Sequence, residues 1–249
     1  MQIIRAEVIP VELSLRQPVR MAHLPEITSI TVIFVRFITR HRQSAWGCCV
    51  AHPGLTGEEP AEVIRICQDC ASLVPDLHPT NLEYSLAMLE PVARGSNAAL
   101  CAFDLAFHDL LGLDTGLPLY KLLGGYRNSI PTSATVPIAR LDETVEMAQA
   151  LARRGFRILK IKGGLDPELD VQRLRAVRRA LPALTLRLDA DGGYTTRSAL
   201  DVAGALREEL EMLEQPTPAD DLEALREVSR QSPVPVIADQ SVRGPASAL

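Results

Sequence analysis

The chain has 249 residues, enough to bury one large core or two ordinary ones. Its 26 basic and 31 acidic residues leave a net charge of −5, and no block of basic residues occurs, which argues against a nucleic-acid partner. Hydrophobic residues make up 47% of the chain, as in an ordinary globular protein, and no apolar run approaches the roughly 20 residues of a membrane span.

The opening Met-Gln-Ile-Ile-Arg-Ala-Glu-Val alternates like a strand and carries Arg5 and Glu7, so it is not a signal peptide, and a cytoplasmic location is expected. Residues 2–15, 28–39 and 43–50 read as strands, with turn chemistry around Arg40 to Gln43. Thr56-Gly57-Glu58-Glu59-Pro60 is a capped start for a helix over 59–73, and Pro79-Thr80 opens another over 81–90. Ser96 to Leu113 carries apolar residues on nearly every face and should form a buried helix. This α+β unit ends near Gly124-Gly125, which predicts domains over 1–125 and 126–249. The five cysteines are dispersed. Cys67 and Cys70 form a Cys-x-x-Cys inside a helical run, with no second pair or suitably spaced histidine, so they read as structural thiols.

From Ile130 the pattern changes to strands alternating with helices. Strands are expected at 130–136, 158–162, 186–191, 211–216 and 235–240, and helices at 142–154, 168–180, 197–210 and 220–231. The charged strand tips Lys162, Asp189, Glu214 and Asp239 are spaced 27, 25 and 25 residues apart. A strand plus crossover helix takes about 25–30 residues, so these are βα units in series. The fold class is α/β: a capping domain followed by a partial (β/α) barrel of about five units. A closed barrel takes about 250 residues of its own. The chain is therefore expected to be a fragment, or to obtain its remaining strands elsewhere.

In a barrel, the strand ends open into one shared site. Asp189, Glu214 and Asp239 each stand at or beside the end of an apolar strand. Each alone could be a helix N-cap. Three converging carboxylates would repel one another, and a hard divalent ion resolves this, with all-oxygen ligation suiting Mg2+. Lys160 and Lys162 lie two apart and so share a face, and their apolar neighbours Leu159 and Ile161 send that face inward. Two ammonium groups together in a dry site should depress each other's pKa and yield a neutral amine. Such an amine next to a metal-held carboxylate can take a proton from the adjacent carbon, because the metal offsets the charge of the resulting enediolate.

These residues resemble the enolase superfamily and its mandelate racemase/muconate-lactonizing-enzyme branch. The likeness runs through Gly116-Leu117-Pro118-Leu119-Tyr120, Leu122 to Arg127, Lys160-Ile161-Lys162, Leu188-Asp189-Ala190, Leu213-Glu214-Gln215-Pro216 and Ala238-Asp239-Gln240-Ser241. The resemblance implies Mg2+ ligands at Asp189, Glu214 and Asp239, a catalytic Lys162 and its companion Lys160. Within the branch, Leu-Leu-Gly-Gly-Tyr-Arg, Thr135-Val136 and Leu-Lys-Ile-Lys look most like the dipeptide epimerases, which move an α-proton between two lysines. The second of those lysines is expected on a sixth barrel strand, beyond Leu249. The same first step could instead end as cycloisomerisation, succinylbenzoate synthesis or acid dehydration, or the chain could be an inactive truncated barrel.

The sequence departs from the branch at Trp46-Gly47-Cys48, where Gly-Glu is common, at Asp191, where Asn is usual, and at Gln240, where Glu is usual. Asp191, Thr135 and Gln240 are candidates for supporting or substrate-binding roles. Capping loops at 16–26 and 50–56 would supply Arg20, His23 and His52. The expected partner is a small carboxylate substrate, and the resemblance implies a homo-oligomer.

Overall fold

In the computed structural model, residues 2–22 and 24–248 are described, with the side chains of Gln17 and Pro245 left aside. Two compact units emerge. The first comprises residues 1–17 and 28–129, and the second residues 18–27 and 130–249.

The first unit begins with β1 (Ile3–Met21), β2 (Leu24–Thr39) and β3 (Ser44–Ala51), a three-stranded sheet in that order, with β3 antiparallel to β2. The strands run further than the sequence suggested. The stretch expected as a capping loop over 16–26 is mostly strand, and residues 18–27 group with the second unit. Along β2, Ile33, Val35 and Phe37 are fully buried, the period-2 pattern of a sheet with one covered face. The cover includes α1 (Pro60–Leu73), α2 (Leu82–Ala93) and α3 (Asn97–Thr115), followed by the short α4 (Leu119–Leu122). Cys67 and Cys70 are buried in α1, within this core. The helix expected over 81–90 continues past Pro91 to Ala93, and Leu89 and Ala93 are both buried in the core.

Helix α3 is anchored at its start by Ser96, whose hydroxyl accepts from the Ala99 N–H at 3.1 Å, and by Glu58, which accepts from the Ala98 N–H at 3.0 Å. Its buried alanines 98, 99, 102 and 106 let it approach β3 closely. At Gly47 on β3 an added Cβ would lie 1.9 Å from the Ala102 carbonyl oxygen. Gly47 thus leaves room for helix backbone. Phe37 packs edge-on to Phe107, with ring centroids 4.8 Å apart, beside this contact.

In the second unit, β4 (Ser133–Val136), α5 (Leu141–Arg153), β5 (Ile158–Lys162), α6 (Pro167–Ala180), β6 (Thr185–Asp189), α7 (Thr196–Ala205), β7 (Leu210–Glu214), α8 (Leu222–Gln231) and β8 (Val236–Ile237) alternate, and α9 (Pro245–Ala248) follows. The five strands lie in sequence order, each paired parallel to the next, forming a partial barrel. Leu159, Ile161, Leu186, Leu188 and Leu213 form a core with Leu174, Val177, Ala199 and Val202 from the helices. Asp166, Thr195 and Asp221 cap α6, α7 and α8 by accepting backbone N–H bonds. Strands β6 and β7 each end two residues sooner than expected, and β4 and β8 are shorter still. Ile130 is exposed ahead of β4, and β8 pairs over two residues only, because β7 turns away after Glu214.

Gly47→Ala should destabilise the first unit by about 1–3 kcal/mol or more, since the added methyl meets helix backbone rather than a movable side chain. Guanidinium denaturation followed by circular dichroism measures the difference.

Candidate active site at the ends of the parallel strands

Strand register brings the candidate residues together. Lys162 on β5, Asp189 on β6 and Glu214 on β7 are successive partners in one row across the sheet. Residues registered in one row of a parallel sheet share a face. Two residues earlier, the row is Thr135, Lys160, Arg187 and Met212. Lys160 and Lys162 therefore face the same side as Asp189, opposite to Leu159 and Ile161, as their alternation suggested.

Asp189 is fully buried. Its Oδ2 lies 2.8 Å from Lys160 Nζ and 2.8 Å from Lys162 Nζ. Both are close ion pairs, although neither satisfies the angles of a well-aligned hydrogen bond, so Oδ2 is left without one. Lys160 also donates to Glu214 Oε1 at 3.0 Å, and Lys162 to both Asp191 oxygens at 2.8 Å. Asp191 takes a left-handed backbone, φ 47°, which lets its own N–H donate to Asp189 Oδ1 at 3.1 Å.

These contacts correct one expectation. Each ammonium faces two carboxylates, so the lysines do not simply depress each other. Burial works against the charge on Lys160 and Lys162, but the surrounding carboxylates outweigh it and hold both amines above the ordinary lysine value. Burial likewise pushes the Asp189 carboxyl up, and the two lysines overcome this and hold it below the usual range.

The other candidates are placed less centrally. Asp239 is exposed two residues beyond β8, and Thr135 is exposed on β4 in the Lys160 row. Gln240 is exposed and donates to Asp191 Oδ1 at 3.2 Å. His52 belongs to the first unit, where its ring accepts from the Gly54 N–H at 3.1 Å and its carbonyl from the Leu55 and Thr56 N–H groups, so it organises its own turn. Arg20 pairs with Glu26 at 3.2 Å with both side chains exposed. His23 lies outside the described residues.

A network that the sequence reading missed supports the lysine strand. Arg173 and Asp170 on α6 are buried, 2.9 Å apart. The Arg173 guanidinium also donates to the Lys162 carbonyl at 2.9 Å, Thr144 Oγ1 at 2.9 Å and the Pro137 carbonyl at 3.1 Å. Asp170 Oδ2 accepts from the Gly164 N–H at 2.8 Å and the Tyr194 hydroxyl at 2.7 Å. The turns after β4, β5 and β6 are thereby tied to one ion pair. Gly164, at φ +99°, allows this closeness, because a Cβ there would sit 2.1 Å from the Ala190 carbonyl oxygen. One signal was available in the sequence. Asp170 and Arg173 share the helix face of Leu174 and Val177, and charges on an apolar stripe imply a buried pair.

Among the described residues, no group of three or more His, Cys, Asp or Glu side chains is placed to hold a metal ion. The donor chemistry still fits Mg2+. Asp189 and Glu214 are neighbouring carboxylates at strand ends, and the buried Asp189 Oδ2 lacks an aligned donor, as a hard cation's ligand would. Asp239 supplies a third carboxylate of the same kind on the next strand's end, not gathered with the other two in this structure.

Comparison with known proteins shows the family. Residues 3–124 match the mandelate racemase / muconate lactonizing enzyme N-terminal domain, and residues 143–249 match the enolase C-terminal domain-like family. The chain belongs to the mandelate racemase/muconate lactonizing enzyme family of the enolase superfamily. It is 30% identical over 239 residues to an L-Ala-D/L-Glu epimerase of Clostridium acetobutylicum, covering 94% of this chain and 66% of that protein. It is 35% identical over 193 residues to a hydrophobic dipeptide epimerase of Enterococcus faecalis, covering 76% of this chain and 54% of that protein. The crystal structure of a dipeptide epimerase from Enterococcus faecalis V583, complexed with Mg and the dipeptide L-Leu-L-Tyr, matches with a TM-score of 0.95 at 31% identity, over 100% of this chain and 70% of that one. The chain thus spans two thirds or less of the length of these curated relatives. Among the described residues, no helix is long and apolar enough to cross a membrane.

Arg173→Met should cost about 3–5 kcal/mol of stability, because it strands the Asp170 carboxylate in the core. Tyr194→Phe removes one hydrogen bond to a charged acceptor and should cost about 1.5–3 kcal/mol. Chemical denaturation of the two variants beside the parent chain tests this order.

Proposed function

We propose that the site removes the α-proton of a small carboxylate substrate, a dipeptide or amino-acid derivative, in an Mg2+-dependent epimerisation. The observation that carries this reading is the shared row of Lys162, Asp189 and Glu214, with Lys160 alongside, at the ends of β5 to β7. Support also comes from relatives named as dipeptide epimerases.

Asp189, Glu214 and Asp239 would hold the ion. When bound, Mg2+ would supply positive charge beside the substrate carboxylate, and Asp189 and Glu214, which otherwise pair with the lysines, would be among its ligands. Lys162 is the base. Burial of Lys162 works toward the neutral amine, the form that accepts the α-proton, while Asp189 and Asp191 work against it, so a cation taken up by Asp189 would move Lys162 toward the base form. Lys160, two residues earlier on the same face, keeps positive charge next to the oxygens that gain electron density. Asp191 grips Lys162 through both of its oxygens, and Gln240 braces Asp191, so together they orient the amine. Both lysines project from β5 and reach a substrate from one side. Return of the proton to the other face takes a group on a different strand.

The chain, supplied with Mg2+ and a panel of dipeptides in D2O, should place deuterium at the α-carbon of one stereoisomer, and mass spectrometry reads it. Lys162→Ala should slow this exchange by about 100-fold or more, on the usual scale of general-base catalysis. Exchange at the parental rate in that variant would remove Lys162 as base. Loss of water or a ring-opened product, in place of exchange with inversion, would assign the site to elimination or cycloisomerisation.

A further inference from the structure

Gln215 follows Glu214 directly and is fully buried. Its backbone is left-handed, with φ +35°, which residues other than glycine seldom adopt unless the surroundings enforce it. This turn ends the ladder between β7 and β8, whose only paired residues are Leu213 with Val236 and Glu214 with Ile237. Residues 239–241 therefore have no strand to pair with, and the Gln215 side chain takes that strand's place. Its Oε1 accepts from the Asp239 N–H at 2.8 Å and the Ser241 N–H at 3.3 Å. Its Nε2 donates to Ser241 Oγ at 2.8 Å and to the Thr217 carbonyl at 2.9 Å. A side-chain amide has two acceptor and two donor positions, and all four are used.

The main chain of Gln215 extends the connection. Its N–H donates to the Ile237 carbonyl at 2.8 Å, and its carbonyl accepts from the Gly192 N–H at 2.7 Å, in the turn after β6 that begins with Asp191. One residue thus joins the turns after β6, β7 and β8, the three strands whose ends carry Asp189, Glu214 and Asp239. Asp189 and Glu214 are placed by strand register, whereas Asp239, beyond the last rung, is not.

We infer that Gln215 is the positioning residue for Asp239: its amide fixes the backbone from which the third carboxylate would reach a shared ion. This inference rests on the proposed ligand trio. No other side chain makes the same set of bonds. A hydrocarbon offers none of the four, and Glu lacks the donors that reach Ser241 and Thr217.

The test is the Mg2+ dissociation constant of the full chain, measured by titration calorimetry on the parent, Gln215→Met, Ser241→Ala and Asp189→Asn. The parent should bind, and Asp189→Asn should abolish binding. Gln215→Met should raise the constant at least tenfold. Ser241→Ala, which removes one anchor of the amide and leaves both Oε1 bonds, should raise it about threefold. Melting temperatures without metal separate a purely structural role, which lowers the melting point and leaves the constant of the folded protein unchanged. A parental constant in Gln215→Met would overturn the inference while the ligand trio stood. If that variant does not fold, a parental constant in Ser241→Ala overturns it. Parent and Asp189→Asn behaving alike would overturn the trio, and the inference with it.

Discussion

The second unit is organised around a carboxylate without solvent. Asp189 is fully buried, and moving a bare carboxylate from water into a protein interior costs several kcal/mol unless charge and hydrogen bonds compensate. Lys160 and Lys162 compensate from one strand, each 2.8 Å away, and the parallel register places them there. Register is strongly specified in such a sheet, because a one-residue slip would turn Leu159, Ile161, Leu186 and Leu188 toward the polar side and the lysines into the helix layer. The apolar face and the charged face therefore enforce each other. The packing of three leucines and one isoleucine under the helices is what holds two ammonium groups against one acid.

A second buried charge pair works at the level of the turns. Arg173 and Asp170 tie the backbone at Lys162 and Gly164 to the turns after β4 and β6, and Gln215 does the same for the turns after β6, β7 and β8. Loops carry the unpaired carbonyl and N–H groups that sheets and helices leave behind, and those buried here are satisfied by side chains. Glycines at 164 and 193 let these loops press backbone against backbone, as at Gly193, where a Cβ would lie 2.2 Å from the Gly164 carbonyl oxygen, and Gly163 leaves room for the Asp170 carboxylate. The site is thus set on two layers, strand ends for the charged groups and bonded turns behind them. That is the arrangement expected where side chains must be held to a fraction of an ångström.

Much of this was legible in the sequence. The even spacing of charged tips marked the βα units, and strand β5 was read at its observed bounds, 158–162, because its apolar alternation and the glycines after it leave little freedom. The row of Lys162, Asp189 and Glu214 followed from strand ends alone. Strand lengths at the edges did not, because β4 and β8 have a partner on one side only, and pairing depends on a neighbour that local pattern cannot show. Strands β1 and β2 also exceeded their expected lengths. The charge state of the lysines was misread for a related reason. Two ammonium groups were weighed against each other, while the carboxylates around them, set by register and by the left-handed turn at Asp191, decide the balance. Gln215 was passed over because most of its bonds run to backbone atoms of distant residues, which carry no residue-type signature, and Arg173 because the apolar stripe it shares with Asp170 was not read.

The central claim is that Asp189 and Glu214, with the lysines beside them, define one cation-accepting corner at the strand ends. Crystals of the chain soaked in Mn2+, a scattering substitute for Mg2+, would test it by anomalous diffraction. A single strong peak about 2.1–2.2 Å from carboxylate oxygens of both Asp189 and Glu214, with Lys162 Nζ withdrawn from Asp189, is the predicted result. A map with no peak there, or with Mn2+ bound only by other carboxylates while both lysines still clasp Asp189, would contradict it.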